Sequence, residues 1–538
     1  MLESQRDHRR QRQTPCTFWT PSFPLVERFL LASGVRSSRL VVYPYRCLRL
    51  VWVLATLPLH VFVSIPSSYL RRRSTPPGDD DDLRLPTRFE PFDPSWTLIQ
   101  RFVYPLLRRV IWAIADVGDP NDLTTSPDPL TSDSIPSWAL ALEWFTVSVG
   151  GGAKVAWSVE TVTSVPKDAV DHGWVTSAVE DPAREVEFAP VKLYWFERTD
   201  SSDSKGSHPA TTNDDKRDER MPRHRDERVV VYFIGGGFVC GSPGEGGRCF
   251  KLARETGLRV VGVNYRKATS RARAYPAALQ DALTAYFHLS VTLGYTDIVL
   301  AGDSAGAALA LTLVNYLSTI VVDQSDSFHE VAKDGDDRLT LPTKLLLISP
   351  WCDLSLESIP DENRTDIILP SICSNSVSAY VGDSNVTTSQ LGRSWGEGPS
   401  DRDREDEGSE RPSDDLVRHA WFSPSLASSL EGLRVIPRAY ALDSSRKRRP
   451  FSIVVTLGTA ELFYRSLVDL VSNLERFVTE DVDNDDEGRI EVKVIEGRGE
   501  VHAFPLVPEW VSPEATRAWN EVTPWIVDGM SATSRGRA

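Results

Sequence analysis

The chain has 538 residues and a formal net charge of −15 at pH 7, with 41% hydrophobic and 25% charged residues. This is the composition of a globular protein that is long enough to bury a large core. The negative charge argues against nucleic acid as a partner, because phosphate binding needs a basic face. The six cysteines form no disulfide framework and show no metal-ligand spacing. Cys240 and Cys249 could pair in an oxidising compartment, which the sequence leaves open.

Residues 1–90 form an N-terminal region that differs in composition from the rest of the chain. Residues 50–65 carry no charge and are followed by three arginines at 71–73. The stretch at about 50–70 therefore predicts a membrane anchor, with a monotopic hairpin or a buried helix as the alternatives. Arginines flank both ends, so the positive-inside rule gives no orientation. Prolines, glycine and four aspartates at 76–82 predict a linker to the next domain.

The remainder, residues 91–538, has the pattern of one α/β domain. Apolar residues at helical spacing predict helices over 96–117 and 137–149, of which the first could belong to a cap or lie on a membrane surface. A further helix begins near residue 275. Short runs rich in aliphatic, β-branched or aromatic residues predict strands over 191–196, 229–233, 258–264, 298–301, 345–348 and 451–457, and the last predicted strand is 491–495. Strands that alternate with helices predict a mostly parallel sheet covered on both faces. The polar stretches between these elements are typical of surface insertions.

A candidate nucleophile lies between a buried apolar run and an Ala/Leu-rich stretch. Residues 302–306 read Gly-Asp-Ser-Ala-Gly, and the strand, tight turn and helix predicted there are the context of a nucleophile elbow. Ser304 would need a general base, an orienting carboxylate and an oxyanion hole, since a serine hydroxyl is a poor nucleophile at neutral pH. Residues 233–238, Phe-Ile-Gly-Gly-Gly-Phe, follow a predicted strand, and their glycines would let backbone N–H groups converge on one oxygen.

The chain resembles the hormone-sensitive-lipase-like branch of the α/β-hydrolase fold, and within it the membrane-anchored arylacetamide deacetylases and fungal steryl acetyl hydrolases. The matching motifs lie at 235–238, 264–268, 275–279, 302–306, 349–355 and 502–504. The resemblance implies a mostly parallel central sheet with helices on both faces and a helical cap, which we place at about 91–180 and 360–430. It implies a serine carboxylic ester hydrolase for hydrophobic or acetylated esters, a sterol ester among them, that needs no metal or cofactor. The alternative is a hydrolase-fold protein that binds a ligand without turnover.

The family order of serine, acid and histidine implies where the catalytic partners of Ser304 lie. His329, His419 and His502 follow the serine, and His502 lies just past the last predicted strand, where the family has its catalytic histidine. Glu461 follows the strand predicted at 451–457, in the place where the family usually has aspartate. A carboxylate of either length can orient a histidine.

Asp353 is the competing acid, although its motif follows the preceding strand and is structural in the family. The resemblance also implies that the N–H groups of Gly236, Gly237 and Ala305 form the oxyanion hole. One departure is Ile234, which stands where the family has histidine and so replaces a polar anchor of this loop by an apolar one.

The resembling deacetylases are anchored to the endoplasmic reticulum with the hydrolase domain in the lumen. The resemblance therefore implies a membrane-bound protein with a luminal catalytic domain. Asn363 and Asn385 each begin an N-x-[ST] sequon in a polar segment, which agrees weakly with that location.

Overall fold

One eight-stranded sheet is the framework of the chain. The computed structural model describes residues 39–64, 66, 93, 95–115, 154–163, 186–199, 222, 227–244, 247–268, 271–327, 341–360, 365–382, 421–426, 433–442, 451–480 and 490–528. The strands are β1 Lys154–Val162, β2 Val191–Thr199, β3 Arg228–Phe233, β4 Arg259–Asn264, β5 Asp297–Asp303, β6 Lys344–Ile348, β7 Phe451–Gly458 and β8 Ile490–Gly497.

The strand order is β1-β2-β4-β3-β5-β6-β7-β8, with β1 and β2 antiparallel to their neighbours and the other pairs parallel. Every residue of β3, β4 and β5 is buried, as expected for parallel strands covered on both faces. The prediction of a mostly parallel sheet is confirmed, and each predicted strand corresponds to one of β2–β8. The prediction missed β1, which lies inside the segment assigned to the cap at 91–180 and pairs only at the sheet edge.

Helices pack on both faces of the sheet. The α-helices in the described part of the chain are α1 Arg39–Leu59, α2 Leu98–Ala115, α3 Arg248–Thr256, α4 Ala277–Phe287, α5 Ala305–Ser327, α6 Pro370–Val381, α7 Val435–Leu442, α8 Tyr464–Glu480 and α9 Pro513–Val527. One apolar core holds side chains of α4, α5, α7 and α8, and a second core holds side chains of α3 and α9. The two cores use alternate residues of the same strands, because successive strand side chains point to opposite faces.

The N-terminal helices α1 and α2 pack against each other and against the segment that leads into α6. Val53 of α1 and Leu369 share a small apolar cluster with Leu106 and Ile111 of α2. The Arg109 guanidinium on α2 donates hydrogen bonds to the carbonyl of Val53, at 3.1 Å, and to the hydroxyl of Thr56. Helix α2, from the first predicted cap segment, and the α6 region, from the second, therefore lie together. The helix predicted at 137–149 lies outside the described residues.

One helix in the described part of the chain is long and apolar enough to cross a bilayer, and it is Ala305–Val322 within α5. Because 89% of that window is buried inside the fold, its apolar character is explained by its place in the core. Val51–Val63, within the predicted anchor, is a shorter apolar helix. Cys240 and Cys249, whose pairing the sequence left open, are both free thiols.

Candidate active site

Ser304 occupies a sharp turn between β5 and α5. Its backbone φ is 54°, a left-handed conformation that is strained for a residue with a side chain. The turn has no room for larger neighbours, because a Cβ on Gly306 would collide with the carbonyl of Phe233, and one on Gly302 would lie 2.6 Å from the backbone of Gly306. The N–H of Ser304 donates to the carbonyl of Ile348, at 2.9 Å. This is the geometry of a nucleophile elbow at the carboxyl end of a parallel strand.

The glycine loop after β3 lies beside this turn. Gly236 and Gly237 have φ values of 124° and 61°, which residues with a side chain rarely adopt. Within the described ranges, no acceptor takes the N–H groups of Gly236, Gly237 and Ala305. The first two amides belong to the loop and the third begins α5, so all three are available to a developing oxyanion.

Two hydrogen bonds hold the loop where the family would have its histidine anchor. The hydroxyl of Tyr265 donates to the carbonyl of Ile234, at 2.6 Å. The N–H of Gly235 donates to Oδ1 of Asp303, at 3.0 Å, and this carboxylate also accepts from the Tyr232 hydroxyl, at 2.8 Å. The side chain of Ile234 is fully buried in the second apolar core. The side chains of Tyr265 and Asp303 and the apolar packing of Ile234 thus hold the loop.

His502 and Glu461 form a buried pair. His502 lies on the loop after β8, here called the histidine loop, and Glu461 lies on the loop after β7, here called the acid loop. Nδ1 of His502 lies 2.9 Å from Oε2 of Glu461. The other carboxylate oxygen of Glu461 accepts from the N–H of Gly458, at 2.8 Å. Nε2 of His502 is buried without a hydrogen-bond partner among the described residues. The imidazole therefore has one nitrogen fixed by a carboxylate and the other free to accept a proton.

The end of β6 brings the serine turn and the histidine loop together. Ile348, whose carbonyl accepts from Ser304, is followed by Ser349, whose Oγ accepts from the N–H of Ala503 at 3.0 Å. Ser349 Oγ also lies 3.4 Å from Oε1 of Glu461. Sequence reasoning placed Ser349 in a family motif without giving it a role, and these contacts show that it connects the acid and histidine loops.

The competing carboxylate, Asp353, has a different environment. Its Oδ1 accepts from the N–H and hydroxyl of Ser355, at 2.9 and 2.5 Å. Its Oδ2 accepts from the N–H and hydroxyl of Ser358, at 3.1 and 2.6 Å. Both oxygens are used to close its own loop, so the geometry favours Glu461 over Asp353 as the partner of His502. The other two candidate histidines, His329 and His419, lie outside the described residues.

Neighbouring carboxylates raise the pKa of the His502 imidazole. Burial by itself lowers the pKa of His502, but the hydrogen bond and charge of Glu461, with the charges of Asp366 and Asp303, raise that pKa above its ordinary value. Burial raises the pKa of Glu461, and the hydrogen bond from His502 opposes that rise. Negative charge around the ring stabilises the imidazolium that forms when His502 takes a proton.

Aromatic side chains surround the oxyanion loop. Phe238, directly after Gly237, stacks on Tyr380 of α6 with ring centroids 3.8 Å apart. It also lies 6.2 Å from the ring of Trp351, whose backbone N–H donates to the carbonyl of Ser304 at 3.1 Å. Within the described part of the chain, no group of three or more His, Cys, Asp or Glu side chains is placed to hold a metal ion.

Residues 230–391 match a family described as alpha/beta hydrolase fold. The predicted fold and the likeness to hormone-sensitive-lipase-like α/β-hydrolases are confirmed. The chain is 30% identical over 146 residues to an acetyl-hydrolase of Streptomyces hygroscopicus, covering 27% of this chain and 42% of that protein. It is 40% identical over 85 residues to the versiconal hemiacetal acetate esterase of Aspergillus parasiticus, covering 16% of this chain and 26% of that protein. The matches therefore span less than half of each relative.

Among solved structures, the chain is similar to an esterase from the bacterial hormone-sensitive lipase family. The two share 16% sequence identity, the alignment covers 76% of this chain and 94% of that chain, and the TM-score is 0.40.

Proposed function

We propose that this protein hydrolyses carboxylic esters through an acyl-serine intermediate. Ser304 Oγ attacks the ester carbonyl carbon while its proton passes to Nε2 of His502. The carbonyl oxygen becomes an oxyanion that accepts hydrogen bonds from the amides of Gly236, Gly237 and Ala305. The alcohol leaves with the proton from His502, and the acyl group remains on Ser304. Water then attacks the acyl carbon and gives a proton to His502. The bond from the acyl carbon to Ser304 Oγ breaks, His502 returns the proton to Oγ, and the acid is released.

The observation that carries this proposal is the 2.9 Å contact between Nδ1 of His502 and Oε2 of Glu461. The carboxylate holds the proton on Nδ1, which leaves the unpartnered Nε2 as the basic nitrogen. A buried imidazole nitrogen without a hydrogen-bond partner contributes nothing evident to the fold. A serine nucleophile, by contrast, requires a basic nitrogen of this kind.

We place the substrates among hydrophobic or acetylated esters, a sterol acetate among them. The aromatic side chains of Phe238, Trp351 and Tyr380 lie next to the oxyanion loop and would favour an apolar acyl or alcohol group. The names of the relatives, an acetyl-hydrolase and an acetate esterase, agree with a short acyl group.

The test uses the full chain purified in detergent, with p-nitrophenyl esters of increasing acyl length and a fluorophosphonate probe. The wild type should hydrolyse the esters and be labelled once, at Ser304. Ser304→Ala should keep the fold, lose the label and lose turnover by several orders of magnitude. Undiminished hydrolysis by Ser304→Ala would refute the mechanism. A folded wild type that binds esters but neither reacts nor hydrolyses would instead be a ligand-binding protein.

We propose further that residues 50–70 attach the protein to the endoplasmic reticulum membrane with the catalytic domain in the lumen. The exposed apolar side chains of α1 support the membrane attachment, since those of Leu48, Val51 and Leu54 are each more than half exposed. Phe62, just after α1, is 77% exposed. Exposed aliphatic and aromatic side chains on one short segment favour contact with lipid.

Membrane attachment and topology can be separated by two measurements. The protein should resist extraction by alkaline carbonate and show a glycosidase-sensitive mobility shift that is lost when Asn363 and Asn385 are both changed to Gln. A protein that carbonate releases, that carries no glycan and that added protease digests outside sealed microsomes would be a peripheral enzyme facing the cytosol.

A further inference from the structure

A buried carboxylate outside the predicted site lies between the acid loop and the histidine loop. Oδ1 of Asp366 accepts from the N–H of His502, at 2.9 Å, and from the N–H of Ile367, at 2.7 Å. Its Oδ2 accepts from the N–H of Leu462, at 2.7 Å, and Leu462 directly follows Glu461. The side chain of Asp366 is fully buried. One carboxylate therefore holds the backbone of the proposed base and of the residue beside the proposed acid.

The two loops are separate pieces of chain, so their relative position has to be fixed by contacts. Glu461 and His502 are 41 positions apart in sequence. Their loops also bond directly, from the N–H of Ala460 to the carbonyl of Glu500 at 3.0 Å and from the N–H of Gly499 to the hydroxyl of Thr459 at 2.7 Å, but neither bond includes Glu461 or His502. By contrast, the N–H of His502 itself donates to Asp366. A displacement of about 1 Å between reacting groups can cost on the order of 10² in rate, so a tie at this place affects turnover.

The segment that carries Asp366 is itself held from the N-terminal side. Nη1 of Arg108 on α2 donates to the carbonyl of Asp366 and, at 3.1 Å, to the carbonyl of Ile368. The hydroxyl of Thr365 donates to the carbonyl of Ala460, at 2.9 Å. The carboxylate is thus fixed to α2 on one side and to the acid loop on the other.

We propose that Asp366 is a positioning residue for the hydrolysis reaction, which holds Glu461 and His502 in register and adds negative charge beside the imidazole. The inference rests on the proposed function of Ser304, Glu461 and His502. Among the described residues, the carboxylates of Glu461, Asp366 and Asp303 each raise the proton affinity of the His502 ring.

The test compares Asp366→Asn with Asp353→Asn as a matched control. Both aspartates are almost fully buried and accept backbone N–H bonds, but Asp353 closes only its own loop. In Asp366→Asn the side-chain amide must point its NH₂ group at a backbone N–H donor, and the negative charge is lost. We expect kcat to fall on the order of 10² relative to the control, with KM little changed.

A pH profile separates positioning from simple destabilisation. Without the charge of Asp366, the pKa of His502 falls, so the acid limb of kcat/KM should move to lower pH in Asp366→Asn and stay in place in Asp353→Asn. The active fraction is normalised by fluorophosphonate labelling at saturation. The same kcat and the same acid limb in both variants, at equal active fraction, would overturn the proposal.

Arg108→Met is the second variant, in case Asp366→Asn does not fold. It removes the two bonds to the carbonyls of Asp366 and Ile368 without placing a donor against a donor. We expect a smaller fall in kcat with KM unchanged, and an unchanged kcat would overturn the proposal. Failure of the inference is distinct from failure of the proposed function, because wild-type labelling and hydrolysis would persist in the first case and be absent in the second.

Discussion

Glu461→Gln is the perturbation whose effect can be worked out in most detail from the structure. Oε1 of Glu461 accepts from the N–H of Gly458 at 2.8 Å, so the glutamine carbonyl oxygen is expected to keep that bond. The glutamine NH₂ group then takes the place of Oε2, 2.9 Å from Nδ1 of His502. An NH₂ donor there requires an unprotonated Nδ1, which puts the proton on Nε2. His502 can no longer accept a proton from Ser304.

The fall in kcat caused by the wrong histidine tautomer has a known order of magnitude. Replacing the orienting carboxylate by an amide in a Ser-His-acid triad lowers kcat about 10⁴-fold, and we expect about 10³ to 10⁴ here. At about 1.36 kcal/mol for each factor of ten, that is about 4 to 5.5 kcal/mol of lost transition-state stabilisation. Burial differs little between glutamate and glutamine, so the fold should persist. The assay is kcat for p-nitrophenyl acetate, normalised to folded protein by circular dichroism.

Asp353→Asn is the control for this comparison. It should change the midpoint of thermal unfolding more than it changes kcat, because Asp353 closes the loop around Ser355 and Ser358. If Asp353→Asn abolishes turnover while Glu461→Gln leaves it intact, at equal folded fraction, the acid is Asp353 and the reasoning from the 2.9 Å contact fails.

Three further results are expected. The wild-type kcat/KM should fall as the pH drops through the pKa of His502, which is raised above the ordinary histidine value because the hydrogen bond and charge of Glu461 outweigh the lowering by burial. An acid limb below the ordinary histidine range in the pH–rate profile would contradict this. Tyr104→Phe removes the 2.5 Å hydrogen bond to the buried carboxyl of Glu500 and should lower the free energy of unfolding, measured in urea, by about 1–3 kcal/mol. An unchanged free energy of unfolding would contradict this. Tyr265→Phe removes the hydrogen bond to the carbonyl of Ile234 and should lower kcat. The fall should be smaller than the roughly 10²- to 10³-fold loss caused by removing an oxyanion donor. An unchanged kcat would show that packing alone holds the loop.

The helix α2 shows how a correct local prediction can leave the role of a segment open. Its apolar spacing predicted a helix over 96–117, and the structure has Leu98–Ala115. The periodicity did not say whether the helix belonged to a cap or lay on a membrane surface. The structure shows that Tyr104 and Gln100 donate to the carboxylate of Glu500, at 2.5 and 2.8 Å, two residues before His502. The partners are about 400 positions apart in sequence, so no local pattern could have indicated them.

The edge strand β1 was missed for a related reason. Lys154–Val162 pairs only with β2, and several of its side chains are half-buried or exposed. An edge strand does not need the continuous apolar run by which β3 to β7 were recognised. The cap was assigned to 91–180 from the position of this segment in the family pattern. That range included residues 154–162, which the structure shows to be the edge strand β1 of the sheet.

The sequence by itself determined the central strands, the serine turn and the glycine loop. These features depend on contacts between near neighbours, where an apolar run buries a strand and Gly302 and Gly306 remove side chains that would collide. Only the tertiary structure decided that Glu461 contacts His502, that hydrogen bonds from Tyr265 and Gly235 hold the loop at Ile234, and that Asp366 ties the two loops together. Asp366 binds backbone N–H groups 96 and 136 positions away. Every residue except proline carries that group, so the partners of such a carboxylate leave no mark in the sequence.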